Sequence, residues 1–238
     1  MRKDLVPIIL SFVAGCATMS GGGGDIAPCP GEEVVKGRIK ELSDKFEPVA
    51  KACPATKEDN EKGGLIEVTS DAKGQLSARV LWWNGNPATQ ACLVDGAKKI
   101  VLGPLPGPPV STFWQIGPPP PPIPEQSDAF KSGMAALTSE DTGGESGTAA
   151  GAGDLSAAKR SCAQRHLPPD FGADVRIAFA VLPGGKAATV NVLSSNARDG
   201  GYEACLQQAI AGQKFPDPHY DGPYPLDLNL HIGPSGKL

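Results

Sequence analysis

The chain has little with which to hold a metal. Its three histidines, His166, His219 and His231, stand in unrelated positions, and no Cys-x-x-Cys or His-x-x-x-His spacing brings two ligands onto one turn of chain. A zinc centre is therefore not expected, and no cofactor is implied. Catalytic signatures are missing as well. There is no Gly-x-Ser-x-Gly elbow, no glycine loop running into Lys-Ser or Lys-Thr, and no carboxylate pair in matching places of the chain. The run Gly21 to Gly24 is a spacer for the same reason. An excess of positive charge is also lacking. Lysine and arginine balance aspartate and glutamate at 11 against 11 in residues 32–117 and 8 against 8 in residues 154–238. Neither stretch carries the basic surplus that binding to a phosphate backbone needs, so a nucleic-acid partner is not expected. The sustained apolar run at the N-terminus, Leu5 to Val13, falls well short of the roughly 20 residues of a membrane-crossing helix.

Glycine and proline, by contrast, are abundant, at 30 and 24 of 238 residues, so much of the chain is turn or linker and its folded parts are small. Residues 118–153 hold Glu125, Asp128, Glu140, Asp141 and Glu145 against Lys131 alone, which reads as a solvated spacer. Pro118 to Pro122 with Pro124 predicts an extended polyproline rod of roughly 25 Å at ~3.1 Å per residue. Gln126 to Leu137 has the composition of a short helix, while Thr142 to Gly153 has almost nothing to bury and is expected to be disordered.

The first residues have the layout of an export signal: a basic Arg2-Lys3, the apolar run, and small residues Ala14-Gly15 ahead of Cys16. Val13-Ala14-Gly15-Cys16 resembles the bacterial lipobox, which implies removal of residues 1–15 and acylation of Cys16. The other reading is an ordinary secretory signal cut nearby, with Cys16 a plain thiol; both export the chain. Ala17 in place of aspartate implies, by similarity to sorting in Gram-negative bacteria, an outer-membrane lipoprotein facing the periplasm. Residues 16–31 then serve as lipid anchor and flexible tether.

Self-comparison finds a repeat. In the second half, Val175 to Val181 has apolar odd positions, Pro183-Gly184-Gly185 makes a tight turn, and Ala188, Val190 and Val192 form the apolar face of a return strand. Tyr202, Cys205, Leu206, Ala209 and Ile210 recur at helical spacing, Phe215-Pro216 follows, and Leu226 to Ile232 alternates as a last strand. The first half runs in the same order through Leu65 to Val68, the turn Asp71 to Gly74, Leu76 to Trp82, a helix opening at Asn86-Pro87, Leu105-Pro106, and a strand over Val110 to Ile116. Helical periodicity precedes each copy, at Val35, Ile39, Leu42, Phe46 and Val49 and again from Leu155 to Ala163. The expectation is an α+β protein with two tandem small domains, residues 32–117 and 154–238, each with two helices on a three-stranded antiparallel sheet. Trp82, Trp83 and Trp114 fall on strand positions, where packing is favoured over stacking on a sugar or base.

Six cysteines in an exported chain argue for disulfides. Cys53 and Cys92 occupy the same two slots as Cys162 and Cys205, so the repeat suggests the pairs Cys53–Cys92 and Cys162–Cys205. With Cys16 lipidated, Cys29 is left over. It either bonds to a partner or a second copy of the chain, or stays a free thiol in the tether.

Residues 154–238 resemble the TonB C-terminal-like domains of AgmX/PglI-type envelope and gliding-motility proteins. The resemblance rests on Ser161-Cys162, Phe179-Ala180-Val181 with Gly184-Gly185, Ser194-Ser195 leading to Tyr202-Glu203-Ala204-Cys205, and Phe215-Pro216-Asp217-Pro218. Residues 32–117 look like a divergent copy. What the resemblance implies is a non-enzymatic envelope module that engages envelope proteins by strand addition at a sheet edge. Within it, the final strand is the candidate edge, with Asp227, Asn229 and His231 on its outer face; the competing view makes these solvated positions on an edge covered by the linker. An alternative function is a periplasmic ligand-binding protein or small hydrolase with a site between the domains.

Overall fold

The computed structural model describes residues 30–118, 122–138 and 152–233. The signal segment, Cys16, the glycine tether and Cys29 lie outside the described residues, as does the stretch 139–151. The chain is α+β, with two three-stranded antiparallel sheets and six helices among the described residues. It divides into two compact units, one built on Glu32–Leu105 and 109–118, the other on 122–233.

The first unit opens with α1 (Glu32–Ala52), which buries Val35, Arg38, Leu42, Phe46 and Ala50. Those steps of three and four lay one stripe of the helix against the core. Next comes α2 (Lys57–Lys62), polar throughout, which exists because Thr56 and Asp59 cap it reciprocally: Asp59 N donates to Thr56 Oγ1 at 3.2 Å and Thr56 N to Asp59 Oδ2 at 2.7 Å. The hairpin of β1 (Gly64–Ser70) and β2 (Leu76–Trp83) follows, then α3 (Pro87–Ala97), then β3 (Val110–Ile116). Asn86 caps α3 by accepting from Ala88 N, and Pro87 fills a first-turn position where its missing donor costs nothing. β1 lies in the middle, antiparallel to β2 and to β3.

The second unit contains α4 (Asp128–Thr138), α5 (Ala152–His166), β4 (Ala173–Val181), β5 (Ala187–Ser195), α6 (Gly200–Gly212) and β6 (Tyr224–Ile232). Its strand order, β5-β4-β6, is the order of the first sheet, β2-β1-β3, in the same chain direction. Each sheet thus carries a third helix beyond the expected two. In the first unit it is the short α2; in the second it is α4, which comes from the stretch read as linker. Phe130 and Met134 of α4 belong to the second unit's core, and Phe130 is 2 % exposed. A Cβ on Gly133 would stand 2.5 Å from Pro216 Cγ, so the helix lies directly on the loop before β6.

The two hairpin turns share one device. Gly74 and Gly185 both have φ near +83°. Their carbonyls accept from Leu102 N and Phe215 N at 2.8 Å, and a Cβ would stand 2.2 Å from Leu102 O or 2.1 Å from Phe215 O. Backbone conformation and close approach both demand glycine there. The bond also corrects one landmark of the repeat: Leu102, not Leu105-Pro106, occupies the slot of Phe215. Each lies ten residues beyond its helical cysteine and is buried.

Both disulfides join the end of a first helix to the helix that follows the hairpin. Cys53 is bonded to Cys92 with Cα atoms 5.8 Å apart, and Cys162 to Cys205 with Cα atoms 5.7 Å apart. Closing loops of 39 and 43 residues stabilises each unit by roughly 4 kcal/mol in the chain-entropy model.

Candidate partner-binding edge

β6 is a regular strand. Tyr224, Leu226, Leu228, Leu230 and Ile232 are buried in the core, while Asn229 and His231 are exposed between them. It pairs with β4 without a break from Ala173 opposite Ile232 to Val181 opposite Tyr224, and it has no second strand partner among the described residues. Pro225 sits near its start, where a missing donor interrupts a ladder least.

The outer face of this strand is organised by β4. Arg176 grips Asp227 with two nitrogens, Nε at 3.1 and 3.0 Å from the two carboxylate oxygens and Nη2 at 2.5 Å from Oδ2. Both side chains are 19 % exposed, so the pair is shielded more than an ordinary surface ion pair. His231 Nδ1 lies 2.7 Å from Asp174 Oδ1. Asp174 is in turn positioned by Asn196, whose Oδ1 accepts from Asp174 N at 2.8 Å and whose Nδ2 donates to Asp174 Oδ2 at 3.3 Å.

The opposite edge is built differently. The β4–β5 register breaks between Arg176 and Ile177 and again between Ala178 and Ala180. Thr189 at the second break has φ of 49°, an unusual value for a β-branched residue. From α6, Gln207 donates its Nε2 to the Val190 carbonyl. Bulges and an occupied carbonyl are devices that disfavour pairing with an incoming chain. Of the two edges of the second sheet, β6 is the one with a strand's regular geometry.

Among the described residues, the two carboxylates with no exposure at all stand elsewhere and have opposite environments. Asp59 is fully buried, which would raise its pKa, but hydrogen bonds from Thr56 N and Oγ1, Thr89 Oγ1 and Asn86 N outweigh burial and hold it below the ordinary range. It ties α2 to the start of α3. Glu203 on α6 is also fully buried, and no hydrogen bond of normal geometry reaches either of its carboxylate oxygens. Burial pushes it up to about 7; the Ser195 hydroxyl opposes the shift and the Asp199 carboxylate adds to it. Beside it, burial and then the Glu203 charge push the Tyr202 hydroxyl up. His166 Nδ1 is 3.9 Å from Asp199 Oδ1, too far for a hydrogen bond.

Trp114 and Trp83 pack within the first unit. Trp114 meets Phe46 of α1 edge-on at 5.3 Å between ring centroids, and Trp83 lies over Gly64 and donates its Nε1 to Asn86 O at 3.1 Å. The structure puts Asp227, Asn229 and His231 on one face, as alternation predicts, and joins the first and last to Arg176 and Asp174. Those two β4 residues were not singled out from the sequence. Their signal was present, because they alternate with Val175 and Ile177 on a strand whose antiparallel partner is β6.

Among the described residues no group of three or more His, Cys, Asp or Glu could hold a metal ion, and no helix is long and apolar enough to cross a membrane. Comparison of the chain with protein-family models, with curated proteins and with solved structures finds no match.

Proposed function

We propose that this chain is a cell-envelope lipoprotein, anchored through Cys16, whose second unit binds other proteins by accepting an extended strand at β6. The reading is non-enzymatic: the chain is a scaffold on the periplasmic side of the outer membrane. The observation that carries it is the contrast between the two edges of the second sheet. β5 is broken twice and capped by Gln207, whereas β6 is unbroken, alternates strictly, and has apolar residues facing the core along its whole length. An incoming strand beside β6 would complete the backbone ladder and rest its inner side chains beside Leu226, Leu228 and Leu230. Two disulfides support export, and the element order helix, hairpin, helix, strand supports the resemblance of the second unit to TonB C-terminal-like domains.

The test is a photo-reactive benzoylphenylalanine placed in the full chain in intact cells, at Asn229 in one variant and at Ser77, exposed on β2, in another. The proposal expects a strong protein adduct from position 229 and little from position 77. Equal adducts at both, or none at 229, would overturn it.

A further inference from the structure

We propose that the strand accepted by β6 is the β6 of a second copy, forming a twofold-symmetric dimer with a continuous six-stranded sheet. This rests on the reading of β6 as a strand-accepting edge and names its occupant.

The argument begins with the order of residues, Leu226-Asp227-Leu228-Asn229-Leu230-His231-Ile232, which is nearly palindromic about Asn229. In an antiparallel pair with the dyad at Asn229, each residue meets the one equally far on the other side. Leu226 then faces Ile232 of the second copy and Leu228 faces Leu230, all on the core side, where the structure buries them. On the outer side Asn229 faces its own copy, and Asp227 faces His231 twice. A twofold interface needs such self-complementarity, because each residue must suit its symmetry mate.

The charges on the adjoining strand extend the match. Asp174 already lies 2.7 Å from His231, and Arg176 already holds Asp227. Across the dyad the outer face therefore reads Asp174, His231, then Asp227 and Arg176 of the second copy, acid and base in alternation, and the same again in reverse. An acid and an imidazole at directly opposed positions can hydrogen-bond in this register, and a two-residue slip would set Asp227 against Asn229 in one direction or against Gly233 in the other. The dimer also uses β6 alone, the regular edge, and leaves the broken β5 edge outside.

Directly opposed residues of an antiparallel pair have Cα atoms about 4.5–5.5 Å apart, within the range that a disulfide bridges. The test uses full-length chains carrying two different tags, both with Cys29→Ser, co-expressed in their own membrane and oxidised mildly. An Asp227→Cys chain and a His231→Cys chain should crosslink to each other and neither to itself, while Asn229→Cys should crosslink to itself. Retention of the Cys162–Cys205 bond checks that the variants are folded. Self-links by Asp227→Cys alone, or no cysteine links at all, would overturn the dimer. Should the photo-reactive residue at 229 then capture a protein other than this chain, the edge reading survives and only the identity of the strand falls. Should it capture nothing, both fall.

Discussion

Phe130 packs against Tyr224 with ring centroids 5.2 Å apart and planes tilted by 59°, which fastens α4 to the first residue of β6. The contact is one of an aromatic group, since Tyr224 also meets Tyr220 edge-on at 6.1 Å. A residue from the stretch between the repeats is thus part of the second core. Phe130→Ala should destabilise the second unit by about 3–5 kcal/mol, the usual cost of emptying a buried aromatic site. Hydrogen exchange followed by peptide mass spectrometry checks it: β4 and β6 amides should lose protection while β1 amides keep theirs. Unchanged β6 protection would mean that α4 merely rests on the surface.

Glu203 gives the second unit a pH dependence whose sign is fixed. Its folded pKa of about 7 lies above the ordinary 4.5, so the folded state holds a proton that the unfolded state releases. The contribution of Glu203 to stability is greatest below pH 4.5, falls through the window from 4.5 to about 7, and is lowest above it; at roughly 1.4 kcal/mol per pH unit that contribution changes by about 3 kcal/mol. Glu203→Gln should abolish the fall between pH 5 and pH 8, read by denaturant unfolding of the second unit. A wild-type profile that is flat over this window would contradict it.

Asp59 acts in the other direction. Held below the ordinary carboxylate range, it contributes stability that is present at neutral pH and lost on acidification through its folded pKa. Asp59→Asn should weaken the first unit at pH 7 and leave its acid behaviour flatter, with α2 amides exchanging first. Equal protection of α2 in both proteins would show that the four hydrogen bonds are not what holds that helix.

Each disulfide should stabilise its own unit. Replacing Cys53 and Cys92 by alanine should cost the first unit roughly 4 kcal/mol and leave second-unit exchange rates unchanged, and the Cys162, Cys205 pair should do the converse. Loss of protection spreading equally to both units would show that a disulfide does not act within its own unit alone.

Lipidation of Cys16 is checked by metabolic labelling with a palmitate analogue. The wild type should carry the label, and Cys16→Ser should lose both label and membrane residence. Label that persists in the variant would place the acyl group elsewhere.

The strands and the cysteine pairs were legible because their signals are periodic or duplicated. Val175 to Val181 and Leu226 to Ile232 alternate plainly, and equal slots in two copies left one sensible pairing. Leu102 was not legible, because its place is set by a backbone bond to Gly74 O that no side chain announces, while Leu105-Pro106 imitates the look of Phe215-Pro216. Helix α2 has no apolar stripe to detect; a reciprocal cap and the buried Asp59 make it. The helix at 128–138 was visible as a helix, and Phe130, Met134 and Leu137 recur at helical spacing; its docking was not legible because the proline-rich, acidic and glycine-rich stretches on either side read as a solvated linker.

The covalent loop of the second unit closes from α5 to α6, so β6 lies outside it. What holds β6 to the rest of the unit is therefore the β4–β6 ladder, from the Ala173–Ile232 pair to the Val181–Tyr224 pair, its core contacts and the backbone running back to α6, with no disulfide in parallel. A pull along the strand axis loads all of those backbone bonds in shear at once. A pull from one end unzips them in turn, while the disulfide keeps α5 and α6 joined on either side of the hairpin.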